Sequence, residues 1–138
     1  MRWQALIGCN PMFGDLTCGV DLLLIERFES VLSRHPDRFP KRILTDRERD
    51  YCGDRLAEMA VRFSGKEAVM KCLGTGVRGV KWKEIEILAN ARGKPVVILH
   101  GGARERAHEI GLERIEISLT HEKNMVCAFA VGQPRPRV

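Results

Sequence analysis

Apolar residues run almost unbroken from Thr17 to Ile25, interrupted by Gly19 and Asp21, and predict a buried strand that feeds a helix. From Glu26 to Leu32 the apolar positions fall at Phe28, Val31 and Leu32, a helical spacing that stops before Pro36. A basic stretch follows (Arg34, Arg38, Lys41, Arg42), and then Thr45-Asp46-Arg47-Glu48 matches a capping box opening a helix to about Cys52. A further helix is expected from about Arg55, bending or restarting near Ser64-Gly65 and ending at Gly74, a residue suited to the left-handed C-terminal position. Strands are predicted at Glu84–Leu88 and Val96–Leu99 across a turn at Asn90–Lys94, with a short helix at Arg104–Glu109 stopped by Gly111. Arg114–Leu119 and Met125–Val131 complete the pattern as two strands joined around His121–Asn124. Helices lead and strands dominate the second half, which makes the fold class α+β, with an antiparallel sheet packed by helices in a single domain over 17–132. Residues 1–16, rich in turn formers, read as an extension. Residues 133–138 read as a loose tail, because Gln133-Pro134-Arg135-Pro136-Arg137 is unsuited to continuing a strand or helix.

Composition narrows the function classes. The chain has 138 residues, 44% hydrophobic and 30% charged, which suits a globular domain with a real core. Its longest purely aliphatic run is Leu22-Leu23-Leu24-Ile25, far short of the roughly 20 residues a membrane span needs. Without the apolar stretch of a signal peptide near Met1, a cytoplasmic location with no membrane partner is expected. The five cysteines are scattered, with no C-x-x-C pair, and read as reduced thiols used as small apolar residues. The net charge of +5 favours an anionic partner: a nucleic acid, a phosphorylated small molecule or an acidic protein.

Three segments carry candidate chemistry, once a fourth that only looks the part is set aside. Gly74-Thr75-Gly76-Val77-Arg78-Gly79 fits G-x-G-x-x-G by letter, but a helix precedes it and a strand-like segment follows. This reverses the order a dinucleotide site needs, so a helix stop with a flexible connection is expected. Arg62-Phe63-Ser64-Gly65-Lys66-Glu67-Ala68-Val69-Met70-Lys71 places Glu67 and Lys71 four apart on one helix face. That spacing also describes an ordinary exposed ion pair. The chemical reading rests on the company: a carboxylate, two amines and a guanidinium within ten residues, suited to holding a metal together with phosphate oxygens. Asp21 in Gly19-Val20-Asp21 is a carboxylate inside an apolar strand, costly to bury without a cation, a donor or water; capping the following helix is the alternative. Ser118-Leu119-Thr120-His121 places polar residues at the late hairpin turn, where a lone histidine is commonly just a turn residue.

Gly19-Val20-Asp21, Arg42-Ile43-Leu44-Thr45, Arg62-Phe63-Ser64-Gly65-Lys66-Glu67-Ala68, Lys71, Gly74-Thr75-Gly76, Gly93-Lys94-Pro95 and Ser118-Leu119-Thr120-His121 together resemble the holo-acyl-carrier-protein synthases. These are small bacterial 4′-phosphopantetheinyl transferases. The likeness covers about residues 17 to 131 in the family's order. It implies that family's fold, and transfer of 4′-phosphopantetheine from coenzyme A to a serine of an apo acyl carrier protein, with release of adenosine 3′,5′-bisphosphate. By the same resemblance Asp21 and Glu67 hold Mg²⁺, which suits a cation that takes one or two carboxylates plus substrate phosphates. Lys71 stabilises or protonates the leaving phosphate, and Glu67 or a water near it takes the serine proton. Arg62, Lys71, Lys94, Pro95 and His121 lie along the nucleotide. Arg27, Arg38 and Arg42 match the positions that dock the acidic carrier, and a homotrimer with shared sites is implied. Thr120 stands where the family commonly has serine.

Two rivals remain. A basic nucleic-acid-binding module is disfavoured because the aromatic residues do not interleave with Lys and Arg, and no nucleic-acid partner is expected. A coenzyme A binder without catalysis would dispense with the metal and charge residues, all of which are present here.

Overall fold

A computed structural model describes residues 14–137. The extension expected at 1–16 therefore lies mostly outside the described residues, as does Cys9. Strand β1 (Thr17–Leu24) runs into helix α1 (Ile25–Arg34), followed by α2 (Arg38–Ile43), α3 (Asp46–Cys52), α4 (Leu56–Leu73) and the one-turn α5 (Gly76–Gly79). A 3-10 turn at Trp82–Glu84 leads into β2 (Ile85–Ala89), β3 (Pro95–Leu99), α6 (Gly101–Glu109), β4 (Leu112–His121) and β5 (Met125–Pro134). The strands form two antiparallel sheets, one in the order β1-β5-β4 and the other a β2-β3 hairpin. No helix among the described residues is long and apolar enough to cross a membrane.

Helix α4 organises the molecule. Ala68, Val69, Met70 and Leu73 pack against Ile85, Ile117, Ala128 and Ala130, while Ala60 and Val61 join Phe28, Ile43, Leu44 and Val126 in a second cluster. The bend or restart expected near Ser64-Gly65 does not occur: α4 is continuous over 18 residues. Gly65 is required for another reason, since a Cβ there would sit 2.6 Å from the Ile87 side chain and 3.2 Å from those of Ile117 and Leu119. The glycine marks close packing rather than a break.

The capping box is present, with the Glu48 N–H donating to Thr45 Oγ1 and the Thr45 N–H to Glu48 Oε1. Glu48 does more than cap. Its Oε1 also accepts from Lys66 Nζ at 2.6 Å, and its Oε2 accepts from the Ile87 N–H at 3.0 Å. Both Lys66 and Glu48 have fully buried side chains. One box thus ties α3 to α4 and β2.

Other departures from the sequence pattern are local. The basic stretch after α1 contains α2, a helix of six residues that amphipathic periodicity is too short to reveal. Helix α6 starts at Gly101 instead of Arg104, its Ala103 N–H satisfied by the Glu84 carboxylate. Strand β5 runs three residues beyond the expected end, through Gly132, Gln133 and Pro134, all paired with β4. Strand β1 ends its pairing at Gly132, so the proline lies past that neighbour, at a strand end where a missing N–H is tolerated.

Candidate active site

Both candidate clusters draw on α4, whose side chains point in different directions. Phe63, Glu67 and Lys71 follow one stripe at four-residue spacing, and Glu58, Arg62 and Lys66 follow another. Arg62 and Glu67, five residues apart, project about 140° apart around the axis. The first stripe faces β1 and α1, the second β2.

On the first side, Gly19 lets β1 lie directly on the α4 backbone: a Cβ there would come within 2.0 Å of the Ala68 carbonyl oxygen. That approach delivers Asp21 to α4. Ser64 Oγ donates to Asp21 Oδ2 at 2.8 Å, and Lys71 Nζ donates to the Val20 carbonyl at 2.8 Å while lying 3.4 Å from Asp21 Oδ1. Asp21 and Glu67 line one cavity of about 350 Å³ together with Arg27, Phe28, Phe39 and Phe63. Partial burial pushes the Glu67 carboxyl up, the neighbouring Asp21 carboxylate pushes it further, and Lys71 only partly opposes them. Two hard carboxylate oxygens held together with too little positive charge suit a divalent cation of the Mg²⁺ type, which completes its shell with phosphates and water. Among the described residues no cluster of three or more acidic, histidine or cysteine ligands exists, so a closed all-protein cage is not what this site offers. Asp21 does not cap α1; Leu24 occupies that position.

On the second side, Arg62, Pro95 and His121 line a smaller cavity of about 200 Å³ with Tyr51, Glu58 and Gly93. The Arg62 side chain is buried, its Nε donating to the Ile87 carbonyl at 2.9 Å and its Nη1 to Glu58 Oε2 at 2.6 Å, with its guanidinium over the Tyr51 ring. The guanidinium is therefore fixed in direction by the fold itself. Lys94 follows the turn at Gly93, whose φ of 83° favours glycine, but its Nζ is 3.0 Å from Glu116 Oε2 rather than in the cavity.

The expected ten-residue cluster is thereby corrected. Lys66 is not available to phosphate, since it donates to Glu48 and to the carbonyls of Trp82 and Ile85 in the interior. Burial pushes its amine down, against the pull of Glu48. The remaining groups divide into a carboxylate cluster (Asp21, Glu67, Lys71) and an arginine-histidine cluster (Arg62, Pro95, His121). Asp21 of β1 and Leu119 of β4, which lines the arginine-histidine cavity, both pair with Ala128 of β5, so their backbones stand about 10 Å apart across the sheet. Arg27 borders the carboxylate cavity, and Arg38 and Arg42 border a depression with His35 and Phe39. Ser64, Glu58 and Tyr51 belong to the site but were not singled out in the sequence. Ser64 stands one turn before Glu67, a spacing that could have flagged it.

The family model of the 4′-phosphopantetheinyl transferase superfamily matches residues 17–130. A holo-[acyl-carrier-protein] synthase from Herpetosiphon aurantiacus is 40% identical over 124 residues, covering 85% of this chain and 98% of the relative. Among solved structures, the holo-[acyl-carrier-protein] synthase of Neisseria meningitidis superposes with a TM-score of 0.79 at 31% identity, over 85% of this chain and 97% of that one. The Bacillus anthracis enzyme, solved in complex with coenzyme A, gives 0.71 at 30% identity, over 90% and 99%.

Proposed function

The chain belongs to the 4′-phosphopantetheinyl transferase superfamily, within its holo-[acyl-carrier-protein] synthases, and we propose that it moves 4′-phosphopantetheine from coenzyme A to a serine of an apo acyl carrier protein. The observation that carries this reading is the Asp21–Glu67 pair in one cavity with Lys71 beside it. The serine oxygen attacks the phosphorus on the pantetheine side of the diphosphate, the bridging P–O bond breaks, and adenosine 3′,5′-bisphosphate leaves.

Asp21 and Glu67 would hold Mg²⁺, which when bound neutralises the charge of the diphosphate as the leaving oxygen departs. Ser64 holds the Asp21 carboxylate in place through Oδ2, leaving Oδ1 turned toward Lys71. Lys71, with a half-exposed side chain, is placed to bind the departing phosphate. Glu67, or a water held beside it, takes the serine proton. Arg62 and His121 contact the phosphates of the adenosine end, with Lys94 and Pro95 alongside the nucleotide. Arg27, Arg38 and Arg42 present positive charge to the acidic carrier.

Within one chain the two clusters share no cavity, which favours a catalytic centre assembled between copies in a homotrimer. The outward face of the sheet supports this arrangement. Val20 (53% exposed), Leu22 (63%) and Leu24 on β1 stand beside Phe129 and Met125 on β5, an apolar surface of the kind that associates. A cytoplasmic setting, where coenzyme A and carrier proteins are at hand, completes the proposal.

The direct test is intact mass of an apo acyl carrier protein after incubation with the protein, coenzyme A and Mg²⁺. A gain of one phosphopantetheine, abolished by EDTA and by Glu67→Ala, is expected. No gain with any of several carriers would point to a coenzyme A binder without transferase activity.

A further inference from the structure

The G-x-G-x-x-G letters follow helix α4 rather than a strand, and what they build is a tight turn. Gly74 ends α4 in the left-handed conformation (φ 70°), Gly76 also has a positive φ (60°), and α5 folds between Gly76 and Gly79. This tight turn lifts Val77, 56% exposed, and Arg78 to one wall of an open depression of about 700 Å³. Lys81, Trp82 and Lys83 continue the wall, and Arg42 of α2 closes it.

Charge and continuity say what the depression faces. Arg42, Arg78, Lys81 and Lys83 make no ion pair among the described residues, whereas Arg47, Arg62, Lys66 and Lys94 are each held by a carboxylate. The one acidic side chain in the lining, Glu84, is already engaged, its Oε2 accepting from the Lys81 and Ala103 N–H groups. Arg42 also borders the depression with Arg38 and Phe39, and Phe39 borders the Asp21–Glu67 cavity. A basic, partly apolar track therefore leads from the catalytic carboxylates across α2 to α5. It shares no lining residue with the Arg62–His121 cavity.

We propose that the α5 turn and the segment through Lys83 form a second arm of the carrier-protein docking surface, with Val77 and Trp82 receiving apolar side chains and Arg78, Lys81 and Lys83 receiving carboxylates of an acidic helix. The inference rests on the transferase reading. It adds a binding element outside the arginines of α1 and α2, one that sets which carriers are accepted. Charges at the rim of an interface act mainly on association and its salt dependence.

The test measures transfer kinetics of Arg78→Glu and of the double variant Arg78→Glu/Lys83→Glu, varying apo carrier and coenzyme A separately at two salt concentrations. Arg137→Glu, outside this depression, is the control for net charge. Reversal of the two charges should raise KM for the carrier roughly tenfold. The KM for coenzyme A and kcat at saturating carrier should stay within about twofold, and the salt sensitivity of kcat/KM should fall. An unchanged carrier KM, or an equal rise in Arg137→Glu, would overturn the docking arm while leaving the transferase reading intact. A raised KM for coenzyme A instead would assign the depression to the nucleotide. Absence of transfer in the unmodified protein would remove both readings together.

Discussion

Both oxygens of Glu48 are occupied in the interior, by Lys66, by the Thr45 N–H and by the Ile87 N–H. Lys66 in turn donates to two carbonyls besides Glu48. A buried pair of this kind adds little net stability over an apolar substitute, but removing one partner strands the other charge. Lys66→Met should therefore destabilise the fold by about 3–5 kcal/mol, read as a lowered urea midpoint at constant m. A loss below about 1 kcal/mol would mean that Glu48 escapes to water or is protonated in the native state. The neighbouring residue shows why adjacent letters mislead: Lys66 and Glu67 are consecutive, yet one is wholly interior and the other opens into a cavity. No property of the lysine itself distinguishes it from a phosphate ligand. Only the Thr45–Glu48 box, legible in the sequence, could have supplied its partner, and its distance of 18 positions hid the pairing.

At the scale of elements, α4 and β1 define the site between them. Much of this was readable: the strand into α1, the capped α3, the stop at Gly74, the hairpin joined around His121–Asn124 and the class α+β all follow from periodicity and turn residues. What periodicity did not convey was the division of α4 into two polar stripes within a helix largely buried on all sides, where hydrophobic contrast fades. Nor did it reveal that Gly19 and Gly65 mark surfaces in contact rather than breaks. Gly19 gives the sharper test. Its missing Cβ would meet the Ala68 carbonyl, the Cys72 amide nitrogen and Lys71 Cβ, so helix and strand would have to separate. Gly19→Ala should cost about 3 kcal/mol or more and reduce kcat through the Asp21–Glu67 spacing. Retention of both stability and kcat would show that β1 and α4 can part without disturbing the site.

For the whole molecule, the apolar outer face of β1 and β5 and the separation of the two site clusters underlie the proposed assembly. Strand order places β1 and β4 at opposite edges of the sheet, with Asp21 on one and His121 at the end of the other. Sequence resemblance implied both sets of residues and a site shared between copies, but not the strand order that keeps the two sets apart in one chain. That separation is a consequence of topology, set by β5 running between them. The same topology leaves Leu22 and Val20 in water unless another copy covers them. In the proposed assembly, non-directional burial of that face would supply attachment, and the polar clusters at its borders the register between copies.

In the proposed trimer one catalytic centre takes its carboxylates from one copy and its phosphate-binding groups from another. Co-expression of Glu67→Ala with His121→Ala tests it, with phosphopantetheine transfer to an apo carrier followed by intact mass. Each variant alone should transfer poorly. In randomly mixed trimers one site in four combines an intact Glu67 with an intact His121 from different copies, so about a quarter of the unmodified activity should return. A mixture no more active than its two parents, with the unmodified protein fully active, would show that each chain completes its own site.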